Sequence, residues 1–504
     1  MTTPILFKAG AIRTPSVPVA EAMLISDGVV RWLGRAEDAP EAGEVIDAGD
    51  ALITPAFVDA HVHATDTGLA QLGLDLSAVR SKTELLDRVS AFAKNGDGVI
   101  LGHGFDESTW GNEQVPPSSA ELDQAAGGRS VYISQASIHS ALVTSDLLAL
   151  AAGAPGFAES GWVRRDAHHV VREAAFGRIT AAQRDAAQTA ALHKAASEGI
   201  ASIHECGGPG TSSPEDFTSL LAKSGKGLPE VYGFWGELMG AAKARELGAV
   251  GAGGDLYADG ALGSRTAHLR EPFLDGDRGC GHGYVTAQQV AEHLIDCHQH
   301  RMQGGFHAIG DAAISTIVEG FSIAAAKLGV DALRSARHRV EHAEIMDKQL
   351  IKGFVEYGIF ASMQPAFDRL WGGEHQMYAQ RLGVERSLAS NPMGQMFNTG
   401  VALAFGSDSP VTPLDPWGSV RAAMWHFNPS QRMTAKAAFA AHTRGGWRSI
   451  HRDNEGVLEP GAPATFAIWS AGKRTGTLPT LDPGDALPVC LRTVLRGETI
   501  YELE

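Results

Sequence analysis

The chain has 504 residues, 20% of them charged and 44% hydrophobic, with a formal net charge of −16. The acidic balance argues against nucleic acid and anionic membrane surfaces as partners, and no run of about 18 apolar residues offers a membrane span. Residues 1–20 lack the basic start and apolar core of a signal peptide. The four cysteines, Cys206, Cys280, Cys297 and Cys490, make no Cys-x-x-Cys pair and read as reduced thiols of a cytoplasmic protein.

The first elements are short strands. Ile5-Leu6-Phe7-Lys8, Ala22-Met23-Leu24-Ile25-Ser26 and Val29-Val30-Arg31-Trp32-Leu33 are separated by turns. Asp27-Gly28 predicts a hairpin between the last two. An apolar run over residues 51–58 then leads into Phe57-Val58-Asp59-Ala60-His61-Val62-His63. On a strand, residues i and i+2 share a face, so His61 and His63 present two imidazoles side by side. From about residue 50, apolar strand-like runs alternate with amphipathic helices at intervals of roughly 35 to 60 residues. Thr286 predicts a cap for a helix carrying Val290, Leu294 and Cys297. Asp311 predicts another, with Ile314, Ile317, Val318 and Phe321 at helical spacing and Gly329 as its end. Asp347 predicts a third, with Leu350, Ile351 and Phe354 on one face and Gly358 as the stop. Strand, capped helix, strand is the pattern of βα units and a parallel sheet; eight units close a barrel whose active site lies at the C-terminal strand ends. Near the end of the chain, residues 456–461, 464–469 and 493–497 turn strand-like again. The expected fold is α/β: a (β/α)8 TIM-type barrel over residues 56–452, with a small β-sandwich domain built from both chain ends, 1–55 and 453–504. No solenoid repeat or low-complexity linker interrupts it.

The chemistry-bearing residues recur at strand ends. His307 follows Gly304-Gly305-Phe306, His342 follows Arg339-Val340-Glu341, and Asp408 follows Ala402-Leu403-Ala404-Phe405-Gly406-Ser407. With His61 and His63, that makes four imidazoles and one carboxylate. This donor set suits one or two divalent ions, Zn²⁺ best, with an open position for water. Asp59 and Glu341 are placed to orient a ligand through its second ring nitrogen. Gln364 ends the run over residues 358–363, and Trp371 follows on a loop of the same barrel face; both are expected to contact a small-molecule substrate. Asp259-Gly260 is turn chemistry. The glycine-rich runs at 207–210 and 251–254 lack a following Lys-Ser or Lys-Thr and read as loops, not phosphate cradles.

Together, residues 54–63, Leu256-Tyr257-Ala258-Asp259-Gly260-Ala261-Leu262-Gly263-Ser264-Arg265-Thr266-Ala267, Phe306-His307-Ala308-Ile309-Gly310-Asp311, Arg339-Val340-Glu341-His342-Ala343 and Gly406-Ser407-Asp408-Ser409-Pro410 resemble the amidohydrolase superfamily, in its YtcJ-like branch. The resemblance spans nearly the whole chain. It implies a metal-dependent hydrolase acting on amide-like or other C–N bonds, with Asp408 binding metal and serving as general base, then general acid. His342 or His307 then serves the developing oxyanion where it is not committed to metal. Many relatives carry a lysine, able to be carboxylated and to bridge two ions, where this chain has Asp255. Asp255 is read as a metal ligand or as a strand-end cap, which leaves the ion count at one or two. Resemblance to the family's glycine-rich loop marks Trp110 as a pocket wall, and His139 stands where relatives place a substrate contact. Barrels of this type often form homo-oligomers; no interface is legible in the sequence. Deamination of a heterocycle, isomerisation by the same site and a non-catalytic binding role are the competing readings.

Overall fold

The computed structural model describes residues 3–110, 115–135, 140–276, 278–470 and 472–504. The apolar stretch after residue 51 builds two strands, with Ala56 between them. Leu52–Pro55 joins a terminal sheet, and β1, Phe57–Val62, opens the barrel. Seven further barrel strands follow: β2 Ile200–Gly207, β3 Glu230–Trp235, β4 Gly251–Ala252, β5 Gln303–Ala308, β6 Arg339–His342, β7 Phe360–Met363 and β8 Ala402–Phe405. They form one parallel sheet in chain order, and a bridge between Val62 and Ser409 continues it across the seam. There the Asp408 N–H donates to the His61 carbonyl at 2.8 Å, and the His63 N–H to the Ser409 carbonyl at 2.9 Å. A Cβ at Gly406 would lie 2.5 Å from the His61 backbone nitrogen, so a side chain there would force the seam apart. The result is a TIM-type (β/α)8 barrel. Strands β1, β2, β5, β6 and β7 are buried at every position, as parallel strands covered on both faces must be.

The helices start and stop where local chemistry directs. Asp347 Oδ1 accepts the N–H groups of Gln349 and Leu350 at 2.8 Å each, opening Lys348–Tyr357, and Gly358 closes it at φ 66°. Thr286 and Gln289 form a reciprocal capping box at the head of Ala287–His300. Asp311–Leu328 differs from expectation. Asp311 is its first helical residue, and its carboxylate accepts the Arg270 N–H at 2.9 Å. The amides at that entrance go to Asp259, which accepts from Ile309 at 2.9 Å and from Gly310 and His268 at 2.8 Å each. A residue read as a turn former thus fastens the loop after β4 to the end of β5.

Both chain ends build the sandwich. Ile5–Lys8, Ala22–Ser26, Val29–Gly34 and Glu44–Asp47 form one sheet; Ala11–Ile12 and Leu52–Pro55 join Phe466–Trp469, Cys490–Leu495 and Glu498–Glu502 in the other. Ile53 pairs with Ile468, and Phe7 meets Phe466 edge-on at 4.9 Å across a common core. Asp27 and Gly28 take φ 52° and 72°, the left-handed pair that a type I′ hairpin requires.

The chain divides into two compact units, Met1–His63 with Leu192–Glu504, and Ala64–Ala191. The sequence did not set the second apart. It carries its own sheet of Leu74–Asp75, Ile100–Phe105, Val131–Gln135, Ser140–Val143 and Trp162–Arg164. Alternation along these strands feeds two cores: Val131, Ile133 and Leu142 enter one, and Tyr132, Ala141 and Val143 the other. Among the described residues, no single helix is long and apolar enough to cross a membrane, and all four cysteines are free thiols.

Candidate metal centre

The inward face of the barrel is built upward from a buried cation. Arg339 and Glu341 alternate on β6 and so share a face. The Arg339 guanidinium is fully buried. It donates to Glu341 at 2.6 and 2.9 Å, to the Ala60 carbonyl at 2.6 Å, to Ser362 at 2.9 Å and to His204 Nδ1 at 3.0 Å. Burial alone would raise the Glu341 carboxyl; Arg339 and then His61 outweigh it and hold it well below the usual carboxylate range. Glu341 Oε2 in turn lies 2.8 Å from His61 Nδ1. An ionised carboxylate accepts only, so the proton sits on Nδ1 and the lone pair on Nε2.

The same device recurs. His342 Nδ1 donates to Gln364 Oε1 at 2.9 Å, and His307 Nε2 to the Gly260 carbonyl at 3.2 Å. Three histidines are thereby oriented by their second nitrogen. Two ends of this apparatus are held in the left-handed region: His342 at φ 70° with Ala343 at 49°, and Asp408 at φ 58°. Such positions cost about 1–3 kcal/mol each and gather at functional sites.

Asp255, three residues past β4, stands at the centre. Its Oδ1 lies 3.5 Å from His61 Nε2, 3.4 Å from His307 Nδ1 and 3.9 Å from His342 Nε2. Its Oδ2 lies 3.1 Å from His63 Nε2. Asp408 Oδ1 is 3.4 Å from His61 Nε2 and 3.2 Å from His63 Nε2. Burial would raise the Asp255 carboxyl; the four surrounding imidazoles outweigh it and hold it well below its ordinary range.

Three of these atoms, His61 Nε2, Asp255 Oδ1 and His307 Nδ1, are buried with no hydrogen-bond partner. Orphaned buried polar atoms carry a desolvation penalty unless something occupies the space between them. Ligands about 2.1 Å from one tetrahedral ion stand about 3.4 Å from each other. Three of the six gaps, at 3.4–3.5 Å, have that size, and the others run from 3.1 to 3.9 Å. Two overlapping triads, His61–Asp255–His342 and His61–His63–Asp408, each gather their donor atoms within 4.8 Å. The donors fit a divalent ion.

The structure therefore brings His61, His63, Asp255, His307, His342 and Asp408 together. It gives other residues different work from that expected. Gln364, read as a substrate contact, is 1% exposed and orients His342. Asp59 accepts the backbone N–H groups of Ser407 at 2.8 Å and His61 at 3.3 Å, not a ring nitrogen, and burial lifts its carboxyl to about 6. Trp371 packs on Phe367 at 4.8 Å, which stacks on His342 at 6.0 Å with the rings 10° from parallel. Trp110, expected to wall a pocket, is a core side chain of the Ala64–Ala191 unit, 5% exposed and packed with Phe105; its bulk is absorbed by packing. His139 lies outside the described residues. Sequence reasoning passed over Arg339 and Tyr257, whose hydroxyl donates to Asp255 Oδ2 at 3.3 Å. A charged pair at i, i+2 on a buried strand was the available signal for Arg339; Tyr257, two residues past Asp255, had the same spacing.

The amidohydrolase family model matches residues 44–501. The chain is 26% identical to the YtcJ amidohydrolase of Bacillus subtilis, an alignment covering 96% of each protein. It is 24% identical to the N-substituted formamide deformylase of Arthrobacter pascens, over 96% of this chain and 95% of that one. A solved metal-dependent hydrolase from Pyrococcus furiosus superposes with a TM-score of 0.78 at 25% identity, covering 94% of this chain and 100% of that one. The match enters in the terminal sheet, runs through the barrel strands that carry the candidate metal centre and leaves in the last strand of the sandwich: this chain belongs to the amidohydrolase family, a family of metal-dependent hydrolases.

Proposed function

We propose that the protein hydrolyses an amide-like C–N bond of a small molecule, with His61, His63, Asp255, His307, His342 and Asp408 as metal ligands and Asp408 as general base, then general acid. The observation that carries this is the set of orphaned buried donors, spaced as ligands of a common ion. Nitrogen and oxygen donors in this number suit Zn²⁺. When bound, a divalent ion polarises a carbonyl and lowers the pKa of water to about 7.

The chain's own groups do the rest. Glu341 and Gln364 keep the His61 and His342 lone pairs turned to the centre. Asp255 offers Oδ2 toward His63 and Oδ1 toward His307, so one short carboxylate serves both sides of the centre where many relatives carry a lysine able to be carboxylated. Asp408 makes its histidine contacts through Oδ1. Oδ2 is then the oxygen that takes a proton from the attacking water and returns it to the leaving nitrogen. The likeness to a formamide deformylase favours a formamide or small acyl amide. Free thiols suit a reducing cytoplasm.

The test is metal content per chain together with turnover of N-substituted formamides, small acyl amides and aminated heterocycles. Two equivalents, falling to one or none in Asp255→Ala, with amine and acid released from an amide, is the expected result. One equivalent in both proteins overturns the shared role of Asp255. Ammonia from heterocycles alone replaces amide hydrolysis with deamination. No metal uptake under replete conditions ends the proposal.

A further inference from the structure

A cavity of about 740 Å³ lies behind the helix Pro365–Trp371. Ala366, Arg369 and Leu370 line it, at i, i+3 and i+4 on one helix face. Phe367 and Trp371 lie on another face of that helix, where Phe367 stacks on His342. The opposite wall comes from Pro413 and Asp415, on the loop leaving Asp408, and from Arg421 and Trp425 on or just after the helix Pro416–Met424. A helix packed on His342 and the loop leaving Asp408 therefore also shape this cavity, yet no metal-centre donor lines it.

Its chemistry is unlike the rest of an acidic protein. Three arginines line it: Arg369, Arg421 and Arg432. The Arg369 side chain makes no hydrogen bond or close ion pair among the described residues, though its charge acts on the adjacent Asp368. Arg421 spends one Nη donor on the Asp485 carbonyl at 2.9 Å, and Arg432 spends Nε on the His426 carbonyl at 3.0 Å. The Arg432 guanidinium also lies 5.4 Å from the Trp425 ring centre. The two acids of the lining are already engaged. Asp415 Oδ1 caps the Gly418 N–H at 2.8 Å, and Asp485 takes Lys473 at 3.0 Å and Thr480 at 3.4 Å. The lining also holds Leu370, 48% exposed, Trp425, 37% exposed, and Phe427. An apolar floor with uncommitted guanidinium forks selects a particular ligand: one with a flat or aliphatic body and a carboxylate that accepts two parallel N–H bonds.

We infer that this cavity is a second binding site, separate from the metal centre, for a small organic carboxylate with an apolar body. The guanidiniums of Arg369 and Arg432 hold the carboxylate, and Trp425 and Leu370 cover the apolar part.

Phenylacetate, with 2-phenylethanol as its neutral counterpart, is the probe, followed by titration calorimetry on the metal-loaded enzyme and again after chelation. The expected result is one saturable phenylacetate site per chain, with its affinity kept after chelation. Affinity should fall at least tenfold in the double variant Arg369→Gln, Arg432→Gln, and 2-phenylethanol should not bind. Should the double variant fail to fold, Trp425→Phe provides the second reading, because it removes the part of the tryptophan quenching that phenylacetate causes at this site. Unchanged affinity in the double variant overturns the inference. So does loss of binding on chelation, which places the carboxylate on the metal, or equal binding of 2-phenylethanol, which leaves only an apolar groove. No saturable binding up to about 10 mM refutes it. A double variant that sediments as a smaller oligomer than wild type makes the cavity a subunit interface and refutes it too.

Discussion

Histidines occupy both ends of the barrel, and their partners set them to opposite uses. At the C-terminal end, His61, His307 and His342 each give one nitrogen to a carboxylate or carbonyl oxygen and turn the other toward Asp255. At the N-terminal end, His338, immediately before β6, accepts the Gly304 N–H at 2.8 Å, and His442 donates to the Val58 carbonyl at 2.9 Å. Among the described residues, no carboxylate hydrogen-bonds either of these two rings. Burial pushes His338 down to about 3 and His442 to about 4, so both stay neutral. The same side chain thus serves as packing with a hydrogen bond at one end and as an anion-supported donor at the other. The acidic partner, not the imidazole, marks the working end.

That contrast is broken most severely at the anions. Asp408→Asn removes the proposed proton acceptor while keeping the shape of the side chain. Its kcat should fall about 10³-fold or more, since general acid–base transfer alone contributes 10² to 10⁴. Chelation of the metal should abolish turnover and restoration of the ion should recover it. His338→Gln, at the other end, should leave kcat/KM within about twofold and lower thermal stability by about 1–3 kcal/mol, through a lost buried hydrogen bond. Turnover of the panel and thermal melts on the two variants check this; a His338→Gln variant as inactive as Asp408→Asn would erase the distinction between the ends.

A smaller effect tests the support beneath the ligands. Glu341→Gln keeps an acceptor for His61 Nδ1 but removes the charge. Loss of an orienting partner of this kind weakens metal affinity by about 10- to 100-fold. It also strands the Arg339 guanidinium, whose carboxylate it is, at a cost of several kcal/mol. The two consequences separate in a second variant, Arg339→Met with Glu341→Gln, which should regain much of the stability and none of the affinity. Chelator competition and denaturant melts distinguish them; wild-type affinity in Glu341→Gln would show that His61 needs no anion behind it.

How far the sequence revealed this depends on range. The strand-end histidines were visible because a two-residue period and a helix cap are local facts, and every one of them proved to sit at the same barrel end. The paired terminal strands were visible for the same reason. The Ala64–Ala191 unit was not. Ile100–Phe105, Ser119–Ala126 and Val131–Gln135 read strand, helix, strand like any barrel segment, and local pattern does not say which sheet a strand joins. Trp110, marked by resemblance to a glycine-rich loop, packs in the core of that unit; the resemblance does not say which core a loop residue enters. At Gln364 the strand-end position was legible, but which neighbour its carbonyl would meet was not, because that depended on His342, 22 residues earlier, turning back through a left-handed backbone.

The mildest prediction concerns acid. His338 and His442 ionise near 3 and 4 when folded and near 6.5 when exposed. Their folded values are depressed, so the stability they carry is complete above pH 6.5. As the pH falls below 6.5, the unfolded chain takes up protons that the folded one refuses. Each ring then costs about 1.4 kcal/mol per pH unit until its folded value is reached. Denaturant melts of the wild type from pH 7 to pH 4 should show this slope, added to that of the carboxylates. His338→Gln, starting lower at pH 7, should lose stability more slowly, by about 1.4 kcal/mol per unit between pH 6 and 4. The two stability curves should therefore converge on acidification. Parallel curves would mean that His338 is protonated in the fold, and the N-terminal end of the barrel would then need an anion of its own.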